Sequence, residues 1–193
     1  MPILIKIEKN NILTLVWEVN ETLERLTQLA NELNTNKYKT DKRKKEFLAS
    51  RLLINEINPK TTLSYNKYGA PVLDNEKHIS ISHSKNLVAI TTSNEKVGMD
   101  IEEISEKALR ISSKFVSEKN LNNLTQEKAT LIWCCKEAIF KWHQKGGVDF
   151  IKDILIPEFS AKEKGKITAY FKKQKLILNY QKINNHYLVY VCN

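Results

Sequence analysis

The 193-residue chain is long enough for one compact domain or two small lobes sharing a core, and its 41% apolar content is ample to fill that core. A charged content of 27%, with no Pro/Ser-rich or low-complexity run, argues against a disordered protein, and no apolar stretch approaches membrane-spanning length. The formal charge of +9 implies polyanionic partners. Charge alone does not choose among nucleic acid, a phosphate-rich cofactor and an acidic protein.

The first residues, Met1-Pro2-Ile3-Leu4-Ile5-Lys6, break into charge too early for a signal peptide, so the chain is expected in the cytoplasm. Ile3–Ile7 and Ile12–Val19 read as a hairpin around Glu8-Lys9-Asn10-Asn11. Asn20 is placed to cap a helix from Glu21 to about Leu33, with Leu23, Leu26, Leu29, Ala30 and Leu33 on its apolar side. A second helix, from about Asp41 to Ile57, turns Phe47, Leu48, Leu52, Leu53 and Ile57 inward and is closed by Pro59. Its first turn carries Lys42, Arg43, Lys44 and Lys45, with Arg51 further along. Cations at a helix start oppose the dipole, so the cluster costs stability unless an anion neutralises it. No helix-turn-helix, zinc-finger or aromatic stacking-sheet motif accompanies it.

Short strands are expected at Thr62–Tyr65, near Pro71–Leu73, at His78–His83 and at Leu87–Thr92. After a turn at Ser93-Asn94-Glu95-Lys96, the stretch Val97-Gly98-Met99-Asp100-Ile101-Glu102-Glu103 reads as the second strand of a hairpin with Leu87–Thr92. Residues two apart on a strand share a face, so Asp100 and Glu102 project together and away from Met99 and Ile101. Such a pair either runs into solvent or shares a divalent cation, since magnesium is commonly held by one or two carboxylates plus substrate phosphates.

Helical pieces follow at Glu106–Phe115 and Glu118–Asn122, then a long helix from about Thr125 to His143, free of Pro and Gly until Gly146-Gly147. Trp133, Glu137 and Lys141 are spaced i, i+4, i+8 and fall on one face. Final strands are expected near Ile154–Phe159, Ile167–Lys172, Leu176–Gln181 and Tyr187–Val191. Cys134, Cys135 and Cys192 are odd in number, with two adjacent on a helix. They offer neither a disulfide framework nor zinc-ligand spacing and read as small packing residues.

The block Val97-Gly98-Met99-Asp100-Ile101-Glu102, followed by Trp133-Cys134-Cys135-Lys136-Glu137-Ala138-Ile139-Phe140-Lys141, resembles the signature pair of the 4′-phosphopantetheinyl transferase superfamily. A third family block, Ile-Ser-His-Ser, is matched upstream by Ile81-Ser82-His83-Ser84. The resemblance runs from about Lys42 to Phe159. It implies the family's monomeric type: an α+β fold of two similar lobes with mostly antiparallel sheets and packed helices, related by a pseudo-twofold axis, with the active site in the cleft. The lobe boundary is expected near Glu95-Lys96, giving lobes 1–95 and 96–193 in one pseudo-dimeric unit.

For function, the resemblance implies a holo-[acyl-carrier-protein] synthase-type reaction, moving 4′-phosphopantetheine from coenzyme A to a serine of an acidic apo carrier protein. Asp100, Glu102 and Glu137 would hold Mg2+ against the pyrophosphate. Lys141 would bind a phosphate oxygen, and Glu137, directly or through water, would take the serine proton. Ser82 and His83 match positions that meet the pyrophosphate, while Lys42 and Arg51 resemble positions at the nucleotide end. Ala70 departs from the family, which usually shows Lys or Arg there; Lys67 or the basic helix start would have to supply the 3′-phosphate contact. His78, His143 and His186 match nothing. Between the acidic strand and the long helix, Phe115-Val116, Leu121 and Leu124 alternate with Lys107, Arg110, Lys114 and Lys119, a mixture expected either to pack under the helix or to dock the carrier. Two other readings are an inactive coenzyme A-binding relative and a basic nucleic-acid-binding protein; neither nucleic acid nor a membrane is the expected partner.

Overall fold

The computed structural model describes residues 3–122 and 124–193, and the side chain of Lys119, one of the expected docking cations, lies outside what it describes. The chain opens with β1 (Ile3–Lys9) and β2 (Ile12–Glu18), an antiparallel pair turning at Asn10 and Asn11. Both asparagines hold positive φ (49° and 62°), which is the conformation that a two-residue hairpin requires and asparagine tolerates.

The first helix, α1 (Leu23–Leu29), is shorter than expected, and its cap is Thr22, whose hydroxyl accepts from the Arg25 amide at 3.1 Å. Asn31 and Glu32 both adopt left-handed φ (50° and 58°), which stops the helix well before Leu33. The second helix, α2 (Asp41–Ile57), takes its expected span and is capped by Thr40, which accepts from the Arg43 amide. Then come the small hairpin β3 (Leu63–Tyr65) and β4 (Pro71–Leu73), and the longer strands β5 (His78–Ser84) and β6 (Leu87–Ser93).

The acidic strand β7 (Val97–Glu103) does not pair with β6. Strand β6 already has β2 on one edge and β5 on the other, so no edge remains for the hairpin that local alternation suggests. Instead β7 starts a second antiparallel sheet by pairing with the last strand, β11 (His186–Cys192). That sheet continues through β10 (Gln174–Ile183) and β9 (Lys164–Phe171) to β8 (Ile154–Leu155), a two-residue strand where a longer one was expected. Between β7 and β8 lie α3 (Glu106–Arg110), two short 3-10 turns and α4 (Gln126–His143). The fold is therefore α+β, with two antiparallel sheets that each carry helices.

Period-2 alternation explains how the two halves share a core. Leu15 and Trp17 of β2, with Val88 and Ile90 of β6, pack against Leu26 of α1 and Leu48 and Leu53 of α2. The alternate residues Val16, Leu87 and Ala89 face the second sheet and meet Met99, Ile101, Leu188 and Tyr190. Tyr187, Val189 and Val191 turn to the other side, against Leu131, Cys134, Cys135 and Ala138 of α4. The cysteines are free and act as small packing groups, with Cys134 and Cys135 fully buried.

Candidate active site

Alternation on β7 sends Met99 and Ile101 into the shared core and leaves Gly98, Asp100 and Glu102 facing α4. Gly98 lets the helix come close: a Cβ there would lie far inside van der Waals contact of the Ala138 carbonyl oxygen and the Trp142 amide. The strand and helix thus approach at backbone distance, bringing Asp100 and Glu102 under the stripe of Trp133, Glu137 and Lys141.

Asp100 is 3% exposed. Its Oδ1 accepts from the Lys141 ammonium at 2.7 Å and from the Ser82 hydroxyl at 2.7 Å, while Oδ2 is buried without a partner. Glu102 accepts from the Trp133 indole N–H at 3.1 Å. Burial and the nearby Asp100 charge raise the Glu102 carboxyl above its ordinary range, against the opposing hydrogen bond from Trp133. For Glu137 the same two causes, burial first, push the pKa up to about 7, with Lys141 opposing. The three carboxylates share one field.

They do not form a closed ligand cluster. Among the described residues, no three His, Cys, Asp or Glu side chains are gathered closely enough to hold a metal ion. Lys141 and Ser82 take one oxygen of Asp100, and Trp133 takes one of Glu102. The donor set nevertheless fits a hard divalent cation, because all its atoms are carboxylate oxygens, one is a buried orphan, and a dication would relieve the repulsion that raises Glu102 and Glu137.

Beside this acid site lies a cavity of about 420 Å³, bounded by α2, the β3–β4 loop, β5 and the C-terminal end of α4. Arg51 lines it, donating to Tyr65 Oη at 2.9 Å and stacking 4.4 Å from the centroid of Phe47. Lys42 does not line the cavity; it is exposed and reaches Glu46 only at 3.8 Å. The cation at that end of α2 is Arg43, a residue the sequence reading did not single out. The signal was present, since Arg43, Phe47 and Arg51 are spaced i, i+4, i+8 and share a face, with Lys42 about 100° away from it.

His83 bridges the same region. Its Nε2 lies 3.0 Å from Arg43 Nη1, and its Nδ1 lies 3.4 Å from Glu46 Oε1. Arginine only donates, so Nε2 accepts and Nδ1 carries the proton. Burial lowers the His83 pKa, against the pull of Glu46, which agrees with a neutral ring. Ala70 also lines the cavity, with its amide donating to Asn66 Oδ1 at 3.0 Å; Lys67 does not line it, whereas Lys145 does.

In the segment between β7 and α4, Phe115 and Val116 are buried with Ala108 against Ala129 of α4, and Leu121 and Leu124 pack partly against them. Phe115 and Val116 are therefore core and Leu121 and Leu124 partly so, while Lys107, Arg110 and Lys114 are exposed together with Glu106, Leu109 and Glu118.

Residues 96–192, from just before β7 to the end of β11, match the family model of the 4′-phosphopantetheinyl transferase superfamily. The chain belongs to this superfamily. It is also 34% identical over 111 residues to the 4′-phosphopantetheinyl transferase gsp of Aneurinibacillus migulanus, a match covering 52% of this chain and 47% of that protein. The chain thus matches about half the length of that curated relative. The superfamily stretch contains the acidic strand and all of α4, so Asp100, Glu102, Glu137 and Lys141 lie within it.

Proposed function

We propose that this chain is a magnesium-dependent transferase that moves the 4′-phosphopantetheine arm of coenzyme A to a serine of an acidic apo carrier protein. The observation that carries the reading is the junction at Lys141, which lines the 420 Å³ cavity and at the same time pairs with Asp100 in the acid site. A nucleotide held in the cavity would extend its pyrophosphate toward that junction. Arg43, Arg51 and Lys145 border the cavity and suit the nucleotide's phosphates; they also compensate for Ala70. Lys42 would contribute only long-range attraction.

Asp100, Glu102 and Glu137 would hold Mg2+, which when bound neutralises pyrophosphate charge and polarises the phosphorus under attack. The rest falls to the chain's own groups. The carrier serine oxygen bonds to the phosphorus bearing the pantetheine arm, the bond from that phosphorus to the bridging oxygen breaks, and 3′,5′-ADP leaves. Lys141 would stabilise charge on the phosphate oxygens, with Arg43, held in place by His83, beside it, and positioning does most of the work. Glu137 would take the serine proton directly or through water. Lys107, whose charge reaches Glu102 and Glu137, and Arg110 and Lys114, exposed on the same segment, would steer the acidic carrier.

We place the lobe boundary at Glu95-Lys96, between β6 and β7, and expect a monomer, because one chain supplies both walls of the cavity. No helix among the described residues is long and apolar enough to cross a membrane, and a coenzyme A-dependent role with three free cysteines suits the cytoplasm. The deciding test is a mass-shift screen with coenzyme A, Mg2+ and a panel of apo carriers. At least one carrier should gain a single phosphopantetheine, and Asp100→Ala should abolish the gain while the protein stays folded. Coenzyme A binding without any carrier gaining mass would make the chain an inactive relative.

A further inference from the structure

The neighbouring edges of β5 and β7 are not joined by backbone pairing. A ladder of serines joins them instead. Ser80, Ser82 and Ser84 project alternately from β5, and their hydroxyls accept from the β7 amides of Met99 (2.8 Å), Ile101 (3.3 Å) and Glu103 (2.9 Å). All three serines are buried, so each rung satisfies an amide that would otherwise be an orphan at a sheet edge.

The rungs differ in what else the hydroxyl does. Ser80 donates to the Met99 carbonyl at 3.2 Å. Ser82 donates to Asp100 Oδ1 at 2.7 Å. We propose that Ser82 is a positioning residue, one that fixes the Asp100 carboxylate so that its free oxygen, Oδ2, is presented to a divalent cation. This rests on the reading of Asp100 as a ligand in the transferase site.

Two donors, Ser82 and Lys141, hold Oδ1, and Oδ2 has none. The ammonium sits on a long stem with three rotatable donors and supplies charge more than direction. The Ser82 hydroxyl is short and is itself held by the Ile101 amide, which belongs to the residue next to Asp100, so it sets the plane of the carboxylate. A hydroxyl has one proton to give, and that of Ser82 is given to Asp100. A phosphate only accepts, so Ser82 cannot also donate to the pyrophosphate. Ser82, the first serine of the Ile-Ser-His-Ser block, therefore belongs to the acid site, and its position on β5 makes alignment of that site depend on the contact between the two sheets.

The test compares Ser82→Ala with Ser84→Ala, which removes a rung whose hydroxyl meets no carboxylate among the described residues. Mn2+ binding is followed directly by electron paramagnetic resonance, without coenzyme A or carrier. Loss of an outer-shell partner typically weakens metal affinity by about 10–100-fold, and Ser82→Ala should fall in that range while Ser84→Ala stays within about twofold of the parent. In the transfer assay, Ser82→Ala should raise the Mg2+ concentration for half-maximal rate by a similar factor and leave the KM for coenzyme A at saturating Mg2+ nearly unchanged. Should Ser82→Ala not fold, Ser82→Cys, which keeps a weak donor, replaces it and should show an intermediate loss.

A raised KM for coenzyme A with unchanged Mn2+ binding would make Ser82 a substrate ligand, and equal weakening in both serine variants would make the ladder purely structural. Either result overturns the proposal, as does a parent protein that fails to bind Mn2+. A parent that binds Mn2+ but modifies no carrier refutes the transferase reading alone, and the comparison of the two variants still decides the role of Ser82.

Discussion

Burial and the charge of Asp100 keep Glu137 protonated up to about pH 7, well above its ordinary 4.5. A carboxyl whose folded pKa is raised contributes stability that is complete below the unfolded pKa and is lost as the pH climbs through the folded one. Without divalent cation, the melting temperature should therefore fall between about pH 4.5 and 7 on account of this group. On the proposed reading Mg2+ would bind the ionised form, so the rise in melting temperature on adding Mg2+ should be larger at pH 8 than at pH 5.5. Glu137→Gln should remove most of both effects. Thermal melts of the two proteins across that range, with and without Mg2+, check this; an identical pH slope in the variant would assign the titration to another group.

At the scale of elements, the site is the product of one close approach, between β7 and α4. The atoms that a Cβ on Gly98 would strike are the Ala138 carbonyl and the Trp142 amide, both backbone and unable to swing aside. Gly98→Ala should lower stability by about 1–3 kcal/mol or more, as overpacking of a tight contact does. Transfer activity should fall further than stability explains, because the substitution pushes Lys141 away from Asp100. Urea denaturation alongside the mass-shift assay measures both, and a variant with parental stability would show that the helix yields freely. The far side of α4 is fastened by Lys136, whose buried ammonium donates to the carbonyls of Phe150 and Ile154. Burial depresses its pKa to about 8. Phe150 in turn packs on Trp133, with ring centroids 5.6 Å apart, and Trp133 holds Glu102. Of the adjacent Lys136 and Glu137, the first thus secures the loop after the helix and the second faces the acid site.

Across the whole molecule, the two sheets are joined by the core of Val16, Leu87, Ala89, Met99, Ile101, Leu188 and Tyr190, together with the serine ladder at the edge. With that much apolar surface in common, the lobes should unfold as one unit in a single transition. Leu188 is fully buried at this seam, and Leu188→Ala should cost about 2–5 kcal/mol. The loss should appear as one shifted transition in calorimetry. Two resolved transitions, with only one displaced, would mean that the lobes are independently stable.

Local pattern carried a good part of this molecule. The apolar runs of β2, β6 and β11, the span of α2 and of α4 with its Thr125 cap, and the i, i+4, i+8 stripe of Trp133, Glu137 and Lys141 are all set by neighbours within one or two turns, so they can be read along the chain. Even Arg43 was within reach, since it shares the helical face of Phe47 and Arg51. Strand partnership was not, because the pairing of β7 with β11 depends on β6 having both edges occupied by β2 and β5, and it joins residues as far apart as Val97 and Cys192. The same distance hid the functions of single atoms. That the Ser82 proton goes to Asp100, that the Lys136 ammonium is spent on two carbonyls, and that Arg43 fixes the His83 tautomer all follow from which donor meets which acceptor once the sheets have packed, and hydrogen bonding of that kind is a property of three-dimensional neighbours rather than of spacing.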